Sequence, residues 1–235
     1  FWNAEKGYYD TGSQTASAMP LALGIVPEER RAAVLAHIVA NIEAHDDHIT
    51  TGEVGYPYLL RALMEAGRND VVMAMMLKKD PPSYGSQLAA GATSLTEAWD
   101  ANPRASQDHF MLGGAEEWFY RGLGGIDFDM SRSADERITI RPAMVEGVTW
   151  VKCSYNSVLG KIRSEWSQED GVTSIDVAIP PSATATLILP VKMVADVPYR
   201  PAKGGPELRE IRRDDEVVAY RAGAGIFHFR EAESQ

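Results

Sequence analysis

The stretch Gly91-Ala92-Thr93-Ser94-Leu95-Thr96-Glu97-Ala98-Trp99-Asp100 lies between two expected helices and gathers small hydroxyl residues, a carboxylate and an indole. Loops set on a rigid scaffold are where binding and reacting groups concentrate. Glu97 near Trp99 offers a carboxylate beside a flat apolar face, a pairing that suits sugar recognition and glycoside hydrolysis. Composition alone leaves a plainer alternative, an exposed glutamate on a short helix. His109 follows at the expected start of the next helix, where its ring either donates to a ligand hydroxyl or merely packs and meets water.

Two other groupings carry less. His45-Asp46-Asp47-His48 places two histidines three apart around acids, but further ligands at a known metal spacing are missing, so it reads as a charged helix end. Cys153 alternates within an expected strand and reads as a small buried or half-buried apolar residue. No phosphate-binding glycine loop or nucleophile elbow is present, and no metal or cofactor is assigned.

The elements that must position these residues fall into two textures. Residues 14–123 are helical in pattern. Ser13–Leu23 is a helix interrupted at Pro20. Pro27-Glu28-Glu29 opens a second, with Ala33, Leu35, Ile38, Val39 and Ile42 as its apolar face. A third spans Glu53–Ala66 and stops at Gly67. Asn69 caps a fourth through Val72, Met73, Met76 and Leu77. The last runs from about Asp108 to Leu123 and closes at Gly124-Gly125. Helices joined by short links without intervening strands imply stacked hairpins.

Beyond Ile126 the period changes to two. Alternation in Arg137–Pro142, Val148–Lys152, Gly160–Trp166, Ser174–Ile179, Ala185–Pro190, Val217–Tyr220 and Gly225–Phe229 predicts short strands. Gln168-Glu169-Asp170-Gly171 is a hairpin signal, and Pro198–Pro206 reads as a Pro/Gly loop. The expected architecture is a multidomain α and β chain, helical hairpins over 1–128 followed by an antiparallel β-sandwich over 129–235, joined through the polar stretch from Asp127 to Asp135.

Composition bounds the partners. The 235 residues carry 23 Lys plus Arg against 33 Asp plus Glu, a formal charge of −10 that disfavours a nucleic-acid backbone. No apolar run approaches the roughly 18 residues of a membrane span. A single cysteine excludes an internal disulfide and fits the cytoplasm, although a targeting signal would lie at an N-terminus not contained here. The opening Phe1-Trp2-Asn3 has no initiator Met and reads as a cut inside a domain.

Taken in order, several segments resemble bacterial α-L-rhamnosidases of glycoside hydrolase family 78. They are Thr50–Leu60, Pro82-Ser83-Tyr84-Gly85, Gly91–Trp99, Asp108-His109-Phe110-Met111-Leu112-Gly113 and Glu117–Leu123. Ile140-Arg141-Pro142, Val148–Val151 and Ile179–Ala185 extend the resemblance into the strand-rich half. It implies the end of an (α/α)6 barrel followed by a C-terminal β-sandwich, and hydrolysis of terminal α-L-rhamnosyl groups with inversion. In its Gly-Ala-Thr-x-x-x-Glu motif the general base matches Glu97. The histidine of its Asn-His motif, a sugar contact, matches His109, and Trp99 becomes a wall of the site or a support for it. The family's general acid lies upstream, so the remainder of the same polypeptide is the implied partner, rhamnose-containing glycosides are the implied substrates, and the isolated chain is expected to be inactive. Thr96 stands where the family often has Trp, and Asp108 where it has Asn. Two alternatives remain beside it: a non-catalytic module binding carbohydrate or protein, and an (α/α)6 glycosidase with another sugar preference.

Overall fold

A computed structural model describes residues 1–100, 102, 104–195 and 207–232. The loop expected at Pro198–Pro206 lies outside them. The chain divides into two compact units, Phe1–Trp118 and Phe119–Gln235.

The first unit is helical apart from a small ladder of β1 (Trp2–Asn3) and β2 (Tyr8–Tyr9). Its helices are α1 (Gln14–Ala22), α2 (Glu28–Ala44), α3 (Tyr56–Glu65), α4 (Asn69–Met76) and α5 (Tyr84–Ala89). Ser13 caps α1 by accepting the Ala16 N–H at 3.2 Å, and the helix continues through Pro20 for two more residues. Helix α1 packs on α2 and α3, and α3 on α4. The buried stripe of α2 is Val34, Ile38, Val39 and Ile42. Ala33, expected on that face, is exposed and Leu35 half-buried, because the stripe follows the i, i+4, i+8 row of Val34, Ile38 and Ile42.

Two helix expectations are corrected at their starts. Residues 53–55 form a turn, and α3 begins only at Tyr56. Asn69 is the first residue of α4 but does not cap it, since its Oδ1 accepts the Trp118 indole N–H at 2.9 Å. The buried side of α4 is Val71, Val72 and Met75, while Leu77 is exposed.

The single helix expected over Asp108–Leu123 is a composite. A 3-10 segment, Phe110–Gly114, leads into one α turn, α6 (Ala115–Trp118), and then a π turn, Phe119–Leu123. Gly113-Gly114 breaks the run of good helix formers at the first joint.

The second unit is two five-stranded sheets. In the first, β10 (Leu208–Arg213), β11 (Val217–Ala222), β8 (Ala185–Pro190), β4 (Ile138–Ile140) and β3 (Ile126–Phe128) lie side by side. In the second the order is β5 (Trp150–Ser157), β6 (Gly160–Glu169), β7 (Val172–Ile179), β12 (Gly225–Glu231) and β9 (Met193–Ala195). Among the described residues all pairings are antiparallel except β4 with β8, which is parallel. The start of the polar stretch expected as a connection is thus a strand, β3, paired to β4.

Strict alternation in β7 buries Thr173, Ile175, Val177 and Ile179, and the same period in β8 buries Ala185, Leu187 and Leu189. The apolar ones meet Ile162, Trp166, Val218, Phe227 and Phe229 in one apolar core. Cys153 is buried as expected. The hairpin at Gln168–Gly171 turns through Asp170 at φ 51° and Gly171 at φ 78°, the left-handed pair of a tight two-residue connection.

Candidate active site

The loop after α5 starts from a helix end. Ala90 closes α5, and Gly91 takes φ +82°, a backbone state that side chains resist, so the chain can reverse. The Ala92 N–H returns to the Gln87 carbonyl at 3.0 Å. The first glycine of the Gly-Ala-Thr segment is therefore a helix stop.

Beyond it, residues 94–97 are irregular chain tied to 106–109 by hydrogen bonds. The His109 N–H donates to the Leu95 carbonyl at 2.8 Å, and the Glu97 N–H to the Ser106 carbonyl at 3.0 Å. The Ser94 hydroxyl also donates to the Gln107 carbonyl. Thr96 turns inward, 1% exposed, with its hydroxyl donating to the Ala98 carbonyl at 2.7 Å. Glu97 turns outward and is exposed. Its Oε2 accepts the Ser106 N–H at 3.1 Å, which fixes the carboxylate against the neighbouring segment.

Trp99 returns to the interior. Its indole N–H donates to the Thr51 carbonyl at 2.8 Å. Its ring meets Tyr56 and Tyr84 edge-on, with centroids 5.3 and 5.1 Å away. Burial pushes the Tyr84 phenol up to about 12 and raises Tyr56 further, so both stay neutral. The Tyr84 hydroxyl donates to the Leu112 carbonyl. This aromatic trio ties the loop, α3 and α5 to the 3-10 segment that His109 precedes. Trp99 itself is buried, 8% exposed.

His109 is brought to a residue that sequence reasoning did not single out. Its Nε2 lies 2.9 Å from Oε2 of Glu53, and both side chains are about three-quarters buried, at 26% and 28% exposure. Glu53 sits in the turn before α3, pressed against α1: a Cβ added at Gly55 would stand 2.2 Å from the Thr15 hydroxyl oxygen. Nearby, the Arg61 Nε–H reaches both carboxylate oxygens of Glu117, at 2.9 and 2.8 Å, and joins α3 to α6. The signal for Glu53 was present in Gly52-Glu53-Val54-Gly55, an acid bracketed by glycines at the head of a helix.

The arrangement offers an exposed, backbone-anchored carboxylate on one segment and, on the segment bonded to it, an imidazole paired with a carboxylate from the turn before α3. Among the described residues no helix is long and apolar enough to cross a membrane.

Known proteins with this pattern are consistent in kind. Residues 1–123 match the bacterial alpha-L-rhamnosidase 6 hairpin glycosidase domain, and residues 125–199 the bacterial alpha-L-rhamnosidase C-terminal domain. An α-L-rhamnosidase of Streptomyces avermitilis is 28% identical over 96% of this chain, which spans 22% of that protein. One from Formosa agariphila is 30% identical over 75% of the chain and 19% of its own length. The crystal structure of the S. avermitilis enzyme complexed with L-rhamnose superposes with a TM-score of 0.79 at 27% identity, covering 96% of this chain and 22% of that one. The α-L-rhamnosidase structure from Dictyoglumus thermophilum shares the fold, with a TM-score of 0.81 at 24% identity over 97% of this chain and 27% of that one. The chain thus spans about a quarter or less of the curated relatives it matches.

Proposed function

Because the chain belongs to the bacterial α-L-rhamnosidase family, we propose that it supplies the end of the catalytic helical domain and the following β-domain of an inverting glycoside hydrolase. The bond cleaved is that of a terminal α-L-rhamnosyl group. In an inverting reaction one carboxylate activates water on the face opposite the leaving group, while a carboxylic acid roughly 6.5–9.5 Å away protonates the departing oxygen. Glu97 is assigned the first part, and the second falls to a residue of the polypeptide upstream.

The observation that carries this reading is the state of Glu97. Its carboxylate is exposed, and Oε2 is held by the Ser106 N–H. That leaves Oε1 to accept a proton from the attacking water while the group keeps a fixed direction. His109 binds a sugar hydroxyl, with Glu53 behind it setting the ring's orientation and proton placement. Trp99 acts from beneath, holding the loop that carries Glu97.

Proton NMR of a rhamnoside digest by the complete polypeptide tests the stereochemistry. The β-anomer of L-rhamnose appearing first, before mutarotation, is the expected result; the α-anomer first would sink inversion. An aryl glycoside panel tests the sugar, with the α-L-rhamnoside expected to be turned over fastest.

A further inference from the structure

The charged end of α2 and the link after α4 come together in a way the sequence did not reveal. The side chains of Asp46, His48 and Asp80 each present a ligand-type atom, and these atoms lie within 4.8 Å of one another. Asp46 and Asp80 are exposed, whereas His48 is buried, 8% exposed. Asp80 stands 32 residues beyond His48 in the chain and is the third ligand missing from His45-Asp46-Asp47-His48.

The orientation of the His48 ring supplies an independent observation. Its Nδ1 is 2.9 Å from the His45 carbonyl, an acceptor only, so Nδ1 carries the hydrogen. The Nε2 lone pair of the neutral ring then points the other way. That atom is buried and faces Oδ1 of Asp80 at 3.2 Å without a well-aligned hydrogen bond. A lone pair facing a carboxylate is repulsive unless a proton or a metal cation stands between them. A ring nitrogen donating to a backbone carbonyl while its partner nitrogen aims outward is the usual support of a metal-bound histidine. The backbone is fixed as well: the buried Gln14 side chain donates to the His48 carbonyl at 3.1 Å and accepts the Thr50 N–H at 2.9 Å.

We propose that Asp46, His48 and Asp80 form a structural site for a borderline divalent cation of the Zn2+ type, completed by water. One imidazole nitrogen with two carboxylates is a donor set such ions accept. Zinc–ligand bonds of about 2.0–2.2 Å require the three atoms to close from their present spread, which two exposed aspartates achieve by side-chain rotation. Lys78 competes, because its Nζ lies 3.0 Å from Oδ2 of Asp46 and must leave when the ion enters. Bound, the ion clamps the end of α2 to the link after α4. The inference is independent of the proposed reaction.

Zinc titration of the chelator-treated complete polypeptide, read by calorimetry and by thermal melting, tests the site. Wild type is expected to take one more zinc equivalent than Asp80→Asn or His48→Gln, or to bind it more tightly than either by more than the roughly 10–100-fold that loss of a ligand's supporting hydrogen bond costs. Its melting temperature should rise with zinc and theirs should not. Asp80 is exposed, so Asp80→Asn decides the matter if the buried His48 variant fails to fold. Equal zinc stoichiometry and affinity in wild type and Asp80→Asn would overturn the site and leave His48–Asp80 as an ordinary imidazolium–carboxylate pair. So would a zinc response that survives in a folded His48→Gln.

Discussion

The Nε2 atom of His109 and Oε2 of Glu53 are 2.9 Å apart, although 56 residues separate them in the chain. Glu53 comes from the turn before α3, His109 from the segment hydrogen-bonded to the one that carries Glu97. A half-buried carboxylate at that distance fixes which edge of the imidazole remains for a ligand.

Glu53→Gln should therefore weaken sugar binding without unfolding the helical unit. A hydrogen bond to a charged group contributes about 1.5–3 kcal/mol, so KM for an aryl rhamnoside is expected to rise roughly tenfold or more. Steady-state kinetics with circular dichroism on the same sample checks this. An unchanged KM would remove Glu53 from the account.

Trp99 is expected to matter through stability. Trp99→Phe keeps most of the edge-on contacts with Tyr56 and Tyr84 but loses the hydrogen bond to Thr51, for a cost of about 1–3 kcal/mol from the stranded carbonyl. Trp99→Ala adds a cavity and should cost about 3–5 kcal/mol. Urea unfolding followed by far-ultraviolet dichroism measures both. Loss of rhamnose affinity with full stability would instead make the ring a sugar platform.

Alkaline stability follows from the same trio. The Tyr84 phenol is pushed by burial up to about 12, and Tyr56 rises further, whereas both titrate near 10 in the unfolded chain. A group whose folded value is raised contributes stability fully present below its unfolded value and lost as pH climbs through the folded one. The urea midpoint of the helical unit should hold to about pH 9 and then decline between roughly pH 10 and 12. In Tyr56→Phe the decline should be shallower, and equal slopes would contradict the assignment.

In the β-unit, Leu187→Ala is expected to cost about 2–5 kcal/mol, because the side chain is fully buried between the two sheets. Chemical denaturation tests this, and a cost below about 1 kcal/mol would mean the sheets are not packed as described.

Legibility in the sequence followed the range of the interaction. Strands β7 and β8 were readable because alternation is local and one face of each is buried. The two-residue turn at Asp170-Gly171 announced itself by residue type. The composite from Phe110 to Leu123 was read as one helix because its apolar period survives the changes of winding. Asn69 looked like a cap because local rules hold no information about Trp118. Glu97 and His109 were visible through motif resemblance. Glu53 and Asp80 were not singled out, since each acquires its partner only when distant segments meet.

The assignment of Glu97 as the base that activates water is tested most directly by Glu97→Gln in the complete polypeptide, assayed on an aryl α-L-rhamnoside. The amide keeps the size of the side chain and can still meet the Ser106 N–H through its oxygen, but it cannot take the water's proton. The account predicts a fall in kcat of about 10²–10⁴-fold with dichroism and melting temperature unchanged. Turnover at the wild-type rate in that folded variant would contradict it.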